Sequence, residues 1–173
     1  AKLLGADLAR AALALAAAEA PKGRGAQHRL EIDDGEFLLI DESYNANPLS
    51  MVAALRLLER AKLGKGGRRI AVLGDMRELG DHGPGLHAGL SKAVDAHNVD
   101  VLYAAGPLMA NLWENTPTNR RGAYANTSAE LRDNLLSGFR AGDVVMIKGS
   151  LGSRMGPLVE AIRARFAPVE RDI

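Results

Sequence analysis

The densest group of chemically capable side chains in this sequence is Asp-Glu-Ser-Tyr-Asn-Ala-Asn-Pro at residues 41–48. It follows the apolar run Phe-Leu-Leu-Ile and precedes a helical pattern, so it lies where a buried strand leads into a helix. In open α/β folds, ligands bind outside the carboxyl ends of the strands. Carboxylates there suit a ribose hydroxyl or a metal, and amides suit the edge of a base. The alternative is an Asx-rich turn that caps the next helix, but the density of polar groups favours a functional role.

Two further strand exits carry polar or flexible residues. Gly-Asp-Met-Arg-Glu-Leu-Gly, at residues 74–80, follows an apolar run, and its Asp75 either orders a polar ligand or caps a surface loop. Lys-Gly-Ser-Leu-Gly-Ser-Arg, at residues 148–154, precedes a helix and is suited to an anion, because free backbone N–H groups attract negative charge. The alternative for this third segment is a tight glycine turn with a solvated arginine. Since parallel strands end at one edge of a sheet, we expect the three segments to converge.

Other candidate motifs do not form a convincing site. Gly-Lys at residues 64–65 is no phosphate-binding P-loop, because it lacks the upstream glycine and the following Ser or Thr, and it runs from helix to strand. No Gly-x-Gly-x-x-Gly motif follows the first strand. His82 and His87 lack a convincing ligand set, so we predict a capping or packing role for them and no metal site in this chain.

The composition is that of an ordinary globular domain. The chain has 173 residues, a net charge of +1 and no cysteine, which excludes disulfides and thiolate metal sites. Neither the charge nor any apolar stretch indicates nucleic-acid binding or membrane insertion. The absence of cysteine fits a reducing compartment, and we expect a cytoplasmic protein. Because the chain begins without Met, we expect it to be part of a longer protein.

The elements that position these segments alternate between strand and helix. Helices are predicted at residues 7–20, 49–62, 84–97, 108–114, 128–139 and 156–166. Strands are predicted at residues 28–32, 36–40, 69–73, 99–104, 122–125 and 143–147. This alternation predicts an α/β fold, with a Rossmann-like, mostly parallel sheet flanked by helices. Asp-Asp-Gly at residues 33–35 predicts a leading antiparallel hairpin.

The three segments, in this order, resemble the C-terminal domain of the Mur ligase family. Tyr-Asn-Ala-Asn-Pro and Leu-Gly-Asp-Met are the more specific motifs, and they are most similar to the branch that adds D-Ala-D-Ala. The similarity covers about residues 22–167, so we assign residues 22–173 to this domain. Residues 1–21 are assigned to the terminal helix of a preceding central ATPase domain.

The resemblance implies an ATP-dependent, Mg²⁺-requiring amide ligase of peptidoglycan synthesis. ATP would phosphorylate the terminal carboxylate of a UDP-MurNAc-tripeptide, and the amine of D-Ala-D-Ala would attack the acyl phosphate. The family's P-loop, catalytic carboxylates and UDP-sugar domain are outside this sequence, so the implied partners include the chain's own central and N-terminal domains. The chain alone is therefore expected to be inactive.

The resemblance also implies roles for individual residues. Either Asp41 or Glu42 would contact the ATP ribose. Their loop neighbours would line the nucleotide: Tyr44, Asn45 and Asn47. The family carries an arginine that reaches the γ-phosphate from just before the first strand of the domain. Arg29 fits it best and is the catalytic candidate, with Arg24 as the alternative. Candidates near the dipeptide or phosphate are Asp75, Lys148, Ser150 and Ser153. Many relatives have arginine directly after Lys-Gly-Ser, where this chain has Leu151, so the role of Arg154 stays open.

Two other interpretations remain open at this point. One is another Mur or folylpolyglutamate-type ligase with a different amino substrate, although those relatives usually place His where this chain has Asn-Ala-Asn-Pro. The other is a receiver-like phosphoacceptor domain, whose acidic pair, central Asp and Lys are mimicked by Asp41, Glu42, Asp75 and Lys148. Receivers, however, lack the leading hairpin and normally follow the lysine with proline rather than Gly149.

Overall fold

The structure, a computed structural model, describes residue 5, residues 7–16 and residues 20–170. This part of the chain has six strands: β1 Ala26–Ile32, β2 Gly35–Glu42, β3 Arg69–Gly74, β4 Val101–Ala105, β5 Arg121–Ala125 and β6 Val144–Lys148. Its α-helices are α1 Leu8–Ala16, α2 Pro48–Arg60, α3 Gly83–Ala96, α4 Ala110–Glu114, α5 Ser128–Leu136 and α6 Gly156–Arg165. None of these helices is long and apolar enough to cross a membrane.

The six strands form a single sheet in the order β1-β2-β6-β3-β4-β5. β1 is antiparallel to β2, and all the other pairings are parallel. The predicted α/β fold with a leading hairpin is therefore confirmed. β3 and β6 are buried along nearly their whole length, which is typical of parallel strands that are covered on both faces.

Helices cover both faces of the sheet and form two cores. On one face, α2 and α3 contribute Met51, Leu55, Leu58, Leu90 and Val94. On the other face, α5 and α6 contribute Leu131, Leu135, Leu158 and Ile162. Each of these positions follows the helical spacing of apolar residues in the sequence, so burial of these stripes places the helices against the sheet.

The element boundaries differ from the predicted ones mainly at the strand ends. β2 extends two residues beyond the predicted end, so Asp41 and Glu42 belong to the strand itself. β1 begins at Ala26, which places Arg29 in the middle of that strand. A short 3₁₀ turn, Leu151–Ser153, was not predicted. The predicted first helix is described from Leu8 to Ala16, and residues 17–19 lie outside the described residues. Its assignment to a preceding domain stays a prediction.

Candidate functional site

The three polar segments meet at the carboxyl edge of the parallel strands. Glu42 lies opposite Lys148 in the pairing of β2 with β6. The Lys148 ammonium is almost completely buried and donates hydrogen bonds to the Asn45 carbonyl at 2.8 Å and to Glu42 Oε2 at 3.3 Å. Burial lowers the pKa of Lys148, and the Glu42 carboxylate partly offsets this effect. Lys148 is thus an internal link between the first and third segments.

Ser150 joins the third segment to both of the others. Its hydroxyl accepts a hydrogen bond from the Arg77 backbone N–H at 2.9 Å and donates to the Ala46 carbonyl at 3.4 Å. Its own backbone N–H donates to the Asp75 carbonyl at 3.1 Å. The expected convergence of the three segments is therefore confirmed, and Ser150 is one of the groups that hold them together.

Asp41 holds the backbone of the chain entering β1. The side chain is 1% exposed, and its two oxygens accept hydrogen bonds from the N–H groups of Gly23 and Ser43, at 2.9 and 3.1 Å. The Asp41 carbonyl also accepts the N–H of Gly25. Of the two neighbouring acids, Glu42 is the one that a ligand can reach, because it is only partly buried.

Arg24 and Tyr44 face solvent together at this edge. Gly23 has a φ of +75°, and a Cβ atom there would lie 2.8 Å from the Tyr44 Cβ, so only glycine allows this close approach. The turn carries the Arg24 guanidinium to 4.4 Å from the centre of the Tyr44 ring, which is a cation–π contact. A cavity of about 420 Å³ beside Tyr44 is lined in part by the apolar side chains of Leu151 and Pro157.

Arg29 lies apart from this group. It faces Leu38 across the hairpin, and Leu38 in turn faces Val144, the first residue of β6. Arg29 is therefore near the amino ends of the parallel strands, where it forms an exposed ion pair with Glu36. The structure brings Arg24, the alternative, to the three segments and does not bring Arg29 there.

The two asparagines of the first segment take part in local structure. The Asn47 side chain accepts the N–H of Ser50 at 2.9 Å, and the Ser50 hydroxyl accepts the Asn47 N–H, which forms a capping box at the start of α2. The Asn45 side chain accepts the N–H of Ala46. Both residues are exposed, so their amide NH₂ groups can still be reached by a ligand.

Asp75 is buried and supports the chain before α4. It is 4% exposed, and its Oδ1 accepts the Met109 N–H at 2.9 Å. A Cβ atom at Gly106, whose φ is +120°, would lie 2.4 Å from the Asp75 carboxyl carbon. Asp75 thus packs directly against the backbone that leaves β4.

A cavity of about 160 Å³ opens beside Asp75, between the second and third segments. Its cationic and hydroxyl-bearing lining residues are Arg77, Arg154, Thr127, Ser128 and Ser153. We call it the arginine cavity. Ser153 also donates a hydrogen bond to the Ser150 carbonyl at 2.6 Å. Arg77 was not among the residues predicted for the site, although a cation two residues after Asp75 at a strand exit was a usable signal.

His87 attaches the second segment to α3. It is fully buried; its Nε2 accepts the Met76 N–H at 2.9 Å, and its Nδ1–H donates to the Gly83 carbonyl at 2.7 Å. The predicted packing role is confirmed for this residue. Among the described residues, no group of three or more His, Cys, Asp or Glu side chains could hold a metal ion.

Comparison with known proteins is consistent with this geometry. The family model described as Mur ligase, glutamate ligase domain, matches residues 28–151. The chain belongs to the Mur ligase family. This membership decides against the receiver-like alternative. A UDP-N-acetylmuramoyl-tripeptide–D-alanyl-D-alanine ligase from Synechocystis sp. is 34% identical to this Mur ligase domain over 84% of the chain. The chain covers 31% of that relative, about a third of its length.

Solved MurF structures share the fold of this Mur ligase domain. A crystal structure of MurF from Acinetobacter baumannii matches 92% of the chain with a TM-score of 0.75 and 28% identity, and the chain covers 34% of it. MurF from Thermotoga maritima, in complex with ADP, matches 87% of the chain with a TM-score of 0.69 and 23% identity, and the chain covers 32% of it. The second likeness shows the fold alone. The predicted similarity to the C-terminal domain of the D-Ala-D-Ala-adding branch of the Mur ligases, the MurF enzymes, is confirmed.

Proposed function

We propose that this chain is the C-terminal part of a MurF-type ligase, which joins D-Ala-D-Ala to UDP-MurNAc-tripeptide with the use of ATP. The observation that carries the proposal is one sheet edge that holds two different surfaces. The Arg24–Tyr44 pair with Glu42 forms a surface suited to a nucleotide, and the arginine cavity forms a surface suited to a small anion. Lys148 and Ser150 hold the two surfaces together.

On the nucleotide side, we assign the ribose contact to Glu42, because the oxygens of Asp41 are already bonded to backbone N–H groups. Arg24 is assigned to the phosphates in place of Arg29, since it lies at the same edge as Glu42. The Tyr44 ring and the apolar cavity beside it suit the flat face of a base. The exposed amide groups of Asn45 and Asn47 would line the nucleotide.

The proposed reaction has two steps. The γ-phosphoryl group of ATP passes to the terminal carboxylate of the tripeptide, which gives ADP and an acyl phosphate. The neutral amine of D-Ala-D-Ala then attacks the carbonyl carbon; the C–O bond to phosphate breaks, the amide forms and the nitrogen loses a proton. Such chemistry depends on positioning and on neutralising charge at the phosphoryl oxygens. The cations of this chain serve that purpose.

Other requirements of the reaction are assigned to the rest of the proposed ligase. The described residues offer no group of carboxylates that fits Mg²⁺, so no step of the reaction is assigned to a metal held by this chain. The sequence also has no P-loop to cradle a triphosphate. A cytoplasmic location and contact with the chain's own central and N-terminal domains are parts of the same proposal.

The test is turnover by the full-length protein that contains this chain. We expect phosphate release only when ATP, UDP-MurNAc-tripeptide and D-Ala-D-Ala are all present, with formation of the pentapeptide product confirmed by mass spectrometry. Single amino acids such as D-Ala and D-Glu serve as matched controls for the amine substrate. Turnover with a single amino acid, and none with the dipeptide, would contradict the proposal and favour another Mur-type ligase.

A further inference from the structure

We propose that Lys148 is a positioning residue, which holds one oxygen of the Glu42 carboxylate and leaves the other oxygen free for a hydroxyl of the nucleotide ribose. This inference rests on the proposed function, in which Glu42 contacts the ribose. It replaces the direct contact with the dipeptide or phosphate that the sequence led us to expect for Lys148. Such a contact does not fit a side chain that is only 3% exposed.

The first argument is the direction in which β6 points the Lys148 side chain. Side chains alternate between the two faces of a strand, so Lys148 lies on the same face as Val144 and Met146, which belong to the core beneath α2 and α3. The ammonium lies at the end of this core, where its partners are Glu42 Oε2 and the Asn45 carbonyl. Both partners belong to the first segment, so the charge of Lys148 acts on that segment.

The second argument is that the two oxygens of Glu42 have different surroundings. Oε2 accepts the hydrogen bond from Lys148 at 3.3 Å. Oε1 lies against Gly25, where a Cβ atom would be 3.3 Å from it, and no described residue donates a hydrogen bond to Oε1. The Glu42 side chain is 24% exposed, so a ligand can reach this second oxygen. A carboxylate that is held by one oxygen presents the other in a fixed direction, as recognition of a single hydroxyl requires.

The third argument is that stability alone does not explain a buried lysine at this position. Removing a cation from water is unfavourable, and burial lowers the pKa of Lys148 even though the Glu42 carboxylate acts in the opposite direction. An apolar residue would continue the Val-Val-Met-Ile run of β6 without this penalty, and replacement of buried ion pairs by apolar residues is often neutral or stabilising. A buried charge of this kind at a sheet edge is therefore a candidate for a functional role.

The experiment compares ATP with 2′,3′-dideoxy-ATP, which lacks both ribose hydroxyls, in the full-length ligase. In the wild type, loss of the hydroxyls should raise the KM for the nucleotide about tenfold or more, the loss expected for a hydrogen bond to a charged group. Lys148→Met should raise the KM for ATP by a similar factor and reduce the preference for ATP to within about threefold. The KM for D-Ala-D-Ala should stay within about twofold. Lys92→Met, at an exposed lysine on α3, is the matched control and should change none of these values.

Further variants separate positioning from a general structural role. Because Lys148 is proposed to act through Glu42, the effects of Lys148→Met and Glu42→Gln on the KM for ATP should not add, and the double variant should stay within about threefold of the weaker-binding single variant. Lys148→Arg keeps the charge and should retain part of the preference for ATP over the dideoxy nucleotide. If Lys148→Met does not fold, Lys148→Gln takes its place with the same expectations.

The outcomes distinguish this inference from the proposed function. Turnover of D-Ala-D-Ala with the same ribose preference in the wild type and in Lys148→Met would overturn the role of Lys148 and leave the proposed function standing. A raised KM for the dipeptide with an unchanged KM for ATP would also overturn it. If the ligase does not use D-Ala-D-Ala, calorimetry of the full-length protein with ADP and 2′,3′-dideoxy-ADP tests Lys148 directly. A wild-type preference for ADP that Lys148→Met loses would support the role; a preference that it keeps, or none in the wild type, would overturn it.

Discussion

At the scale of single residues, similar polar side chains at one sheet edge have two different uses. Asp41 and Asn47 accept backbone N–H groups and so determine the course of the chain. Glu42, which follows Asp41 directly, and Tyr44, which lies in the same segment, remain accessible. A buried carboxylate without partners is costly, so burial of Asp41 requires the N–H groups that surround it. The accessible members are therefore the better candidates for ligand contacts.

We predict that Arg24→Ala lowers kcat of the full-length ligase by on the order of a hundredfold or more, because a cation at the transferring phosphoryl group stabilises the transition state. Arg29→Ala should change kcat by less than about threefold, because loss of an exposed ion pair with Glu36 costs little. Steady-state kinetics of both variants measure this. A collapse of kcat in Arg29→Ala, with Arg24→Ala near wild type, would return the role to Arg29.

A second prediction at this scale concerns His28 and pH. Burial, and then the nearby Arg163 charge, lower the pKa of His28 from its ordinary value of 6.5. The unfolded chain therefore binds more protons at this residue, and stability rises with pH across that window. His28 should contribute stability that is fully present above pH 6.5 and that is lost as the pH falls toward its lowered pKa.

Urea unfolding at several pH values tests this prediction. His28→Gln should reduce the decrease in unfolding free energy between neutral and mildly acidic pH, and Gln27→Ala, at an exposed and uncharged neighbour on β1, should leave the decrease unchanged. The same pH dependence in His28→Gln as in the wild type would count against the prediction.

At the scale of elements, the carboxyl ends of β2, β6 and β3 form the site because these strands are neighbours in the sheet. Each strand exit is connected to the next by side-chain contacts, and the exit of β3 is also attached to α3 through His87. This attachment holds Asp75 and Arg77 in place, because Met76 lies between them in the sequence.

We predict that His87→Phe lowers the unfolding free energy by about 1–3 kcal/mol, because it leaves the buried Met76 N–H without a partner and removes the side-chain hydrogen bond to the Gly83 carbonyl, while it keeps a planar ring at this position. Denaturant unfolding measures the change. His82→Phe, on the exposed side of the same region, should stay within about 0.5 kcal/mol of wild type. If the two variants were equally stable, the His87 contacts would not carry this energy.

At the scale of the whole molecule, the chain accounts for about a third of its relatives' length. We predict that the isolated 173-residue chain shows no ligase turnover and no micromolar ATP binding. Its ribose, phosphate and base contacts leave most of the triphosphate in water, and the sequence has no P-loop. Calorimetry with ATP and a phosphate-release assay measure the two quantities, with the full-length ligase as the positive control. Micromolar binding by the isolated chain would contradict this prediction.

The sequence by itself determined the fold class, the hairpin and the segments that make up the site. Apolar runs such as Val-Val-Met-Ile in β6 identify buried parallel strands, and Asp-Asp-Gly identifies the hairpin turn. These features depend on neighbours in the sequence, and local patterns are sufficient to predict them. The convergence of the three strand exits could also be predicted, because parallel strands place their carboxyl ends at one edge of the sheet.

Only the tertiary structure decided which side chain of each segment is accessible. It showed Asp41 rather than Glu42 bonded to the entering turn, placed Arg24 over Tyr44 and left Arg29 at the other end of the sheet. The physical reason is that exposure of a side chain depends on partners far away in the sequence. Lys148 and Glu42, whose contact joins two segments of the site, are 106 residues apart.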